Sequence, residues 1–221
     1  MIVAVALFAA AGTRAFAGEM PTSAVYPAFR PDKALEEEKL TEADLREIET
    51  GKTIVRSRPM PPGKKGAHVM AARWVMASQN QAYAVVMDCK GQPGYVPHLL
   101  SCTNTFPEGS TAPVVPYYEQ TEKLKFGFAF ISKEVNYTIR AFTMRPFMRG
   151  WTLKGGDISA CEGYFRILPY KDGHQILLYD LYLDPGTVLP GWIQEILTKS
   201  DLPKTVEAYA RQAENVAAAS K

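Results

Sequence analysis

Alternating apolar and polar side chains in the later part of the chain restrict its fold more than any other feature. Between residues 159 and 168 the odd-numbered positions are mostly apolar or small, whereas the even-numbered positions include Glu162, Tyr164 and Arg166. Residues 175–183 repeat this period of two. Because successive side chains of a β-strand point to opposite faces, each segment predicts a strand with one apolar and one mixed face. Such strands are typical of an antiparallel sheet that is covered on one side.

The same pattern predicts further strands and the turns between them. Asp172-Gly173 is a hairpin signal between the two strands above. Residues 132–134 form a second turn, so that the strands beside it pair in a hairpin. The remaining predicted strands cover residues 53–58, 67–76, 113–120, 122–131, 135–144 and 151–153.

Two helices are predicted in the first half of the chain. Residues 33–49 carry an apolar stripe among many carboxylates, and Thr41 with Asp44 forms a capping-box pair within this segment. Gly51 is the residue that usually ends such a helix. Ser78 is the cap of a second, shorter helix that ends where Gly and Pro crowd together.

A third helix is predicted near the end of the chain. Pro190 suits its first turn, and a wide apolar stripe follows. Pro203 interrupts the stripe, which predicts either one helix bent at residues 200–203 or two helices in succession. We expect residues 217–221 to be a frayed tail. The stripe before the interruption consists of Trp192, Ile193, Ile196 and Leu197.

The first residues differ from the rest of the chain. A short apolar run ends in Ala15-Phe16-Ala17, which is typical of a secretory signal peptide cleaved after Ala17. Residues 1–17 are therefore predicted to be the signal, 18–32 a tether, and 33–216 one domain. Export predicts a periplasmic or secreted protein. The alternative is an N-terminal membrane anchor, since no Lys or Arg precedes the apolar run.

The cysteines allow two interpretations. In an oxidising compartment, Cys89 and Cys102 would close a short loop rich in Gly and Pro as a disulfide. Alternatively, these two and Cys161 are small buried apolar residues. The three histidines are scattered without ligand spacing, so we expect neither a metal nor a cofactor.

Charge and motifs exclude several classes of function. The 25 basic residues nearly balance the 23 acidic ones, which argues against nucleic-acid binding. The sequence has no nucleophile elbow, zinc-protease motif or phosphate-binding loop. We therefore expect no enzyme activity and no nucleic-acid partner.

The order of these elements resembles the helix-grip fold of the START-like superfamily, also called SRPBCC or Bet v 1-like, in an exported bacterial-type member. The similarity runs from about Leu40 to Arg211, and its most characteristic stretches are residues 83–97, 161–169 and 179–192. Two family signatures have counterparts here.

The first signature ends a helix, and Asp88 and Pro97 take its place. The second leads into the last helix, and its counterpart runs from Leu183-Asp184-Pro185-Gly186 to Pro190.

The resemblance implies an α+β fold in which a curved antiparallel sheet wraps around a long C-terminal helix, with a ligand cavity between them. Strand parity then predicts which side chains face inward. Gly163 is expected to leave room among them. Arg140, Glu162, Arg166 and Asp180 fall on the opposite face, where cross-strand ion pairs are expected. The predicted lining consists of Tyr137, Ile139, Trp151, Leu153, Cys161, Phe165, Tyr179, Leu181, Trp192 and Ile196.

Family members bind sterols, phospholipids, other lipids, quinones or polyketides. The resemblance therefore implies a monomeric, non-catalytic carrier of a lipid-like ligand, with possible transient contact to a membrane. Two alternatives stay open: a cyclase- or hydrolase-type enzyme that uses the same cavity, and a co-chaperone-like interaction module. The predicted lining contains no His or carboxylate for acid–base catalysis, and Tyr137 and Tyr179 are its only candidates to orient a ligand.

Overall fold

The computed structural model describes residues 38–107, 117–128, 131–186 and 200–220. The predicted signal peptide and tether, the start of the first predicted helix, and Trp192 and Ile196 of the last one lie outside these ranges. The helices within them are α1 (Glu42–Glu49), α2 (Gln79–Met87) and α3 (Leu202–Ala219). The strands are β1 (Ile54–Ser57), β2 (Ala67–Val75), β3 (Leu99–Thr105), β4 (Tyr117–Phe128), β5 (Ile131–Met144), β6 (Met148–Gly156), β7 (Ala160–Pro169) and β8 (Gln175–Asp184).

The strands form one antiparallel sheet in the order β1-β2-β8-β7-β6-β5-β4-β3. In the central pair, Phe165 lies opposite Tyr179 and Gly163 opposite Leu181. Directly opposed residues share a face, so this register places the predicted inward side chains together. The α+β class and the antiparallel sheet predicted from the sequence are confirmed.

Helices α2 and α3 cover the inner face of the sheet. The alternating residues of β2, β7 and β8 that face inward pack against Val206, Tyr209, Ala210 and Ala213 of α3. Ser78 caps α2, as predicted, because its hydroxyl accepts from the backbone N–H of Gln81 and the Gln81 side chain accepts in return. The resulting core forms one side of the domain.

The outer face is also covered, which corrects the expectation of a sheet covered on one side. Ile48 of α1 is fully buried in a second apolar cluster with Met70, Leu168 and Leu178 from the sheet. The Thr41–Asp44 capping box starts α1, and residues 38 and 39 form a turn rather than the continuous helix predicted over 33–49. This turn brings Glu38 onto the sheet.

Glu38 joins a buried cluster of charged groups on the outer face. Its carboxylate lies 2.6 Å from the Arg58 guanidinium and 2.6 Å from that of Arg166. Asp180 lies 3.0 Å from Arg58 and 2.7 Å from His68. Part of the expected cross-strand pairing is present, since His68 of β2 contacts Asp180 of the neighbouring β8. Glu38 and Arg58, which lie outside the strands, add further charged partners on this buried face.

Several elements differ from the sequence prediction. Residues 132–134, predicted to be a turn, belong to β5, and β6 extends well beyond the predicted 151–153. The sequence pattern predicts no strand where β3 lies, because the polar run of residues 101–105 has no apolar face. β4 is continuous where two strands meeting at residue 121 are predicted. Residues 217–219, predicted to fray, continue α3, since alanine is the best helix former.

Candidate functional site

A cavity of about 130 Å³ lies between the inner face of the sheet, the segment after α2, and the first turns of α3. Its wall is mainly apolar and aromatic, as small-molecule sites usually are. Residues from β4 to β8 supply most of it, and residues 92–99 close one side.

The structure brings most of the predicted lining residues together. Leu153 is the exception: it packs on the edge of the same core, outside the cavity wall. Trp192 and Ile196 lie outside the described residues. The predicted residues that contact the cavity are Tyr137, Ile139, Trp151, Cys161, Phe165, Tyr179 and Leu181.

Gly163 does not leave room for a ligand, contrary to the expectation. A Cβ at this position would lie 2.6 Å from Cζ2 of Trp151 and would also meet the carbonyl oxygen of Asp180. The indole of Trp151 therefore occupies the space above Gly163. The glycine places the tryptophan against the sheet.

Four aromatic rings form a continuous wall. Phe165 and Tyr179 are stacked with centroids 4.4 Å apart, and Trp151 lies 5.8 Å from Phe165. Tyr209 of α3 completes the wall at 4.7 Å from Phe165. These distances lie within or near the range in which aromatic pairs attract. The wall offers a flat, polarizable surface to an apolar ligand.

Arg149 of β6 lies in the cavity wall, although the sequence analysis places no charged group there. Its side chain is almost fully buried, only 3% of the residue's surface being exposed. Nε donates to the Tyr118 hydroxyl at 2.7 Å, and Nη2 donates to the Gln120 side-chain oxygen at 2.9 Å. The guanidinium also lies 5.3 Å from the centre of the Trp151 ring. These contacts hold a cation inside an apolar cavity.

The electrostatics keep Arg149 charged. Burial lowers the pKa of Arg149, but the surrounding Tyr118, Tyr209 and Glu122 raise it by more, so the pKa lies above its ordinary value. Guanidinium has five N–H donors, and the described residues accept two of them. Arg149 forms no ion pair with a carboxylate of the described residues, and its two hydrogen-bond acceptors are neutral. The charge of Glu122 acts on it without a direct contact.

Glu122 is a second polar group in the cavity wall that the apolar pattern of the strands does not predict. Its carboxylate accepts a 2.5 Å hydrogen bond from the Tyr137 hydroxyl and another from the Gln120 amide. Burial raises the pKa of Tyr137 well above its ordinary value, and the charge of Glu122 raises it further. Tyr137 is therefore a hydrogen-bond donor at neutral pH.

Strand parity places both groups on the inner face but does not give the partners that stabilise them there. Leu124 and Phe126 mark the inner face of β4, and stepping back by two residues reaches Glu122 and then Gln120. On β6, a step of two back from Trp151 reaches Arg149. These positions are polar, so a search for apolar lining passes over them.

The wall meets solvent at His98, the one exposed residue among the described residues that line the cavity. Its Nε2 lies 3.2 Å from a carboxylate oxygen of Asp201 at the start of α3. The imidazole also packs beside Phe126, with ring centroids 5.4 Å apart. A histidine and two carboxylates thus line the cavity, which corrects the expectation of a lining without acid–base groups.

A disulfide closes the loop that contains His98. Cys89, just after α2, is bonded to Cys102 of β3, with Cα atoms 5.3 Å apart. The disulfide interpretation of Cys89 and Cys102 is therefore confirmed. Cys161 is a free, buried thiol in the cavity wall, and burial together with Glu122 raises its pKa to about 12.

Two kinds of feature are absent from the part of the chain that the structure describes. It contains no helix with the length and apolar character needed to cross a membrane. The same residues include no group of three or more His, Cys, Asp or Glu side chains arranged to hold a metal ion.

Comparison with known proteins identifies the fold. The sequence matches no protein-family model and no curated protein sequence. Solved structures do match. A STAR-related lipid transfer protein from Xanthomonas axonopodis has a TM-score of 0.56 at 12% identity, over 73% of this chain and 93% of that one.

Two other structures agree with this match. Human STARD10 has a TM-score of 0.55 at 10% identity, over 78% of this chain and 79% of that one. The protein TTHA0849 from Thermus thermophilus has a TM-score of 0.54 at 17% identity, over 70% of this chain and 99% of that one. This chain therefore has the same fold as these structures, the helix-grip fold that the sequence resemblance implies.

Proposed function

We propose that the protein binds and carries a hydrophobic ligand with an acidic end, whose apolar part lies along the aromatic wall and whose acid group meets Arg149. The observation that carries this proposal is the buried guanidinium of Arg149, which forms no ion pair with a described carboxylate. The proposed function includes no reaction step.

The apolar part of the ligand is inferred from the apolar and aromatic residues that line the cavity. Burial of apolar surface contributes roughly 25 cal/mol per Å², so a lipid chain or fused ring system needs few polar contacts to bind well. The names of the structural relatives support this class, since one of them is a lipid transfer protein.

The acidic end of the ligand is inferred from the positive charge of Arg149 in the cavity wall. A buried cation is costly unless it is paired, and Arg matches the planar geometry of a carboxylate or phosphate. The donors of Arg149 that bind neither Tyr118 nor Gln120 have the right chemistry to complete such a pair. Tyr137 is not a competing anchor, because its hydroxyl is held by Glu122.

The volume limits how much of the ligand is enclosed. An apolar cavity of about 150 Å³ accommodates benzene, and the cavity here is about 130 Å³. A ring or a short chain segment therefore fits inside, and a longer chain has to extend toward the opening at His98.

Mass spectrometry of organic extracts tests the proposal on protein purified from its native cell. We expect an acidic lipid to co-purify with the wild-type protein. Leu181→Trp, which enlarges a partly buried residue of the cavity wall, should reduce its amount. Extracts that contain only neutral lipids, or equal amounts with both proteins, would contradict the proposal.

Glu122 and Tyr137 favour one second candidate, an enzyme that acts on a hydrophobic substrate in the same cavity. A carboxylate and a phenol 2.5 Å apart in a cavity wall are able to exchange a proton with a substrate. Turnover of a candidate substrate that is lost in both Glu122→Gln and Tyr137→Phe would support the enzyme over the carrier.

We also propose that the carrier acts outside the cytoplasm. The Cys89–Cys102 bridge supports this location, because disulfides persist in oxidising compartments. The intact mass of the protein from its native cell tests it: cleavage after Ala17 predicts Gly18 as the first residue, and a retained segment 1–17 would indicate an anchor.

A further inference from the structure

The segment between the two bridged cysteines and the first turns of α3 form the two sides of the cavity opening. Residues 92–99 supply part of the wall on one side. Asp201, Leu202 and Thr205 supply the other. The contact between His98 and Asp201 connects the two sides at the point where the wall is exposed to solvent.

The side that carries His98 is firmly held. The Cys89–Cys102 disulfide closes its base. Within the segment, the Gln92 side chain donates to the carbonyl of Val86 and the Tyr95 hydroxyl donates to that of Val85, both at 3.0 Å. At its end, the His98 carbonyl accepts from the backbone N–H of Lys125 at 2.9 Å. The backbone around His98 is therefore fixed.

The contact with α3 is weaker. The His98 and Asp201 side chains are 35% and 12% exposed, and they meet through one ring nitrogen and one carboxylate oxygen. Asp201 is the N-cap of α3 but makes no capping hydrogen bond with its side chain. One of its carboxylate oxygens meets His98, and the other lies 3.7 Å from Nζ of the exposed Lys204. His98 also has a positive φ of 65°, which non-glycine residues rarely adopt. Such a conformation persists where the surrounding contacts hold it.

We propose that the His98–Asp201 contact is the latch of the cavity: when it breaks, the cavity opens between the disulfide-closed segment and the first turn of α3, and ligand passes there. This inference rests on the proposed function in one respect: it takes a ligand to enter and leave the cavity through the opening. A contact made through one pair of atoms, with a partly exposed histidine, suits the role because it contributes little stability and breaks often.

Cys161 reports opening without any ligand. It is the free thiol of the cavity wall, and burial holds it in the unreactive protonated form. N-ethylmaleimide therefore labels it only when the cavity opens. In His98→Asn, the asparagine tolerates the positive φ but is too short to reach Asp201. We expect labelling in this variant to be about 2- to 5-fold faster than in the wild type.

Two further variants complete the test. Asp201→Ala should accelerate labelling at least as much as His98→Asn, because it also removes the 3.7 Å ion pair with Lys204. The double variant should be no faster than Asp201→Ala, since both substitutions remove the same contact between the two sides. Lys154→Ala removes an exposed ion pair with Glu119, away from the opening, and should label at the wild-type rate. Equal rates in all variants, or additive effects of the two latch substitutions, would overturn the latch.

Stopped-flow fluorescence with cis-parinaric acid, a fluorescent fatty acid, separates the latch from a direct ligand contact. The long chain of this probe extends toward His98, so the association rate rather than Kd decides: loss of a latch raises the association rate. A weaker Kd with an unchanged association rate would show that His98 contacts the ligand and would overturn the proposal. If the wild-type protein does not bind the probe, the proposed function fails, and Cys161 labelling still decides the latch.

Discussion

Arg149 of β6 and Tyr118 of β4 form a buried hydrogen bond over the intervening strand β5: Nε of the guanidinium donates to the phenolic oxygen at 2.7 Å. The Tyr118 hydroxyl is within reach of the Met87 sulfur as well, at 3.6 Å. The tyrosine thus connects the cation of the cavity wall to helix α2. This pair fixes the position of the charge on which the proposed ligand selectivity depends.

Tyr118→Phe removes the acceptor of this hydrogen bond and leaves a buried cationic donor without it. We expect the free energy of unfolding to fall by about 1–3 kcal/mol, measured by urea denaturation. The adjacent Tyr117 is 51% exposed, so Tyr117→Phe is a matched control that should leave the unfolding midpoint unchanged. Equal midpoints for the two variants would contradict a structural role for the Arg149–Tyr118 bond.

Gly163→Ala should destabilise the protein because the space above the glycine is filled by Trp151 and by the backbone of Asp180. Overpacking of this kind costs about 1–3 kcal/mol. Gly155→Ala is the control, since nothing lies within 4 Å of its added Cβ. Thermal unfolding followed by Trp fluorescence compares the two, and an unchanged Tm for Gly163→Ala would show that the tryptophan is not fixed against the sheet.

Reduction of the Cys89–Cys102 bridge should lower the stability of the fold. A crosslink that closes a loop of this length, with a sequence separation of 13, stabilises a protein by about 3 kcal/mol in the chain-entropy account. We expect dithiothreitol to lower the urea midpoint of the wild type, and Cys89→Ala/Cys102→Ala to have a low midpoint with or without it. A midpoint insensitive to dithiothreitol in the wild type would indicate that the bridge is absent.

The outer charge cluster predicts a pH dependence of stability. Burial lowers the pKa of His68, but its hydrogen bond with Asp180 and the charge of that carboxylate raise it by more, so the folded-state pKa lies above the ordinary 6.5. A raised pKa means that the stabilisation is fully present below about pH 6.5 and is lost as pH rises through the folded-state pKa. Urea unfolding between pH 6 and pH 9 should therefore show a declining free energy of unfolding.

His68→Gln provides the control for this titration, because glutamine keeps a hydrogen-bonding group near Asp180 without a proton to lose in this range. We expect a shallower decline in the variant than in the wild type. Identical slopes would assign the pH dependence to other groups.

Most of the fold was predictable because local patterns specify it. The capping box at Ser78 starts its helix as predicted, and the Thr41–Asp44 box recognised in the sequence is also present, although it starts α1 instead of lying within a longer helix. The alternation of apolar and polar residues in β7 and β8 identifies the side chains of the inner face, because every second residue of an unbroken strand lies on the same face. β3 was not predictable in this way, because an exposed edge strand of polar residues has no alternating signal.

The polar groups of the site were harder to predict for a physical reason. Arg149 and Glu122 occupy inward positions but are stabilised by partners on other strands, such as Tyr118 and Tyr137. A hydrogen-bond network between strands depends on which strands are neighbours, and one-dimensional periodicity does not contain that information. The space above Gly163 was mispredicted for the same reason, since Trp151 comes from the adjacent strand.

The central claim is that the cavity binds a hydrophobic acid through Arg149, and equilibrium binding of cis-parinaric acid and its methyl ester tests it most directly. The wild type should bind the acid about 10- to 100-fold more tightly than the ester, because a charge-assisted hydrogen bond contributes about 1.5–3 kcal/mol. Arg149→Met should bind both equally, whereas Arg149→Lys should keep part of the preference, each variant first being shown to unfold cooperatively. Equal affinity of the wild type for acid and ester, or no saturable binding of either, would contradict the account.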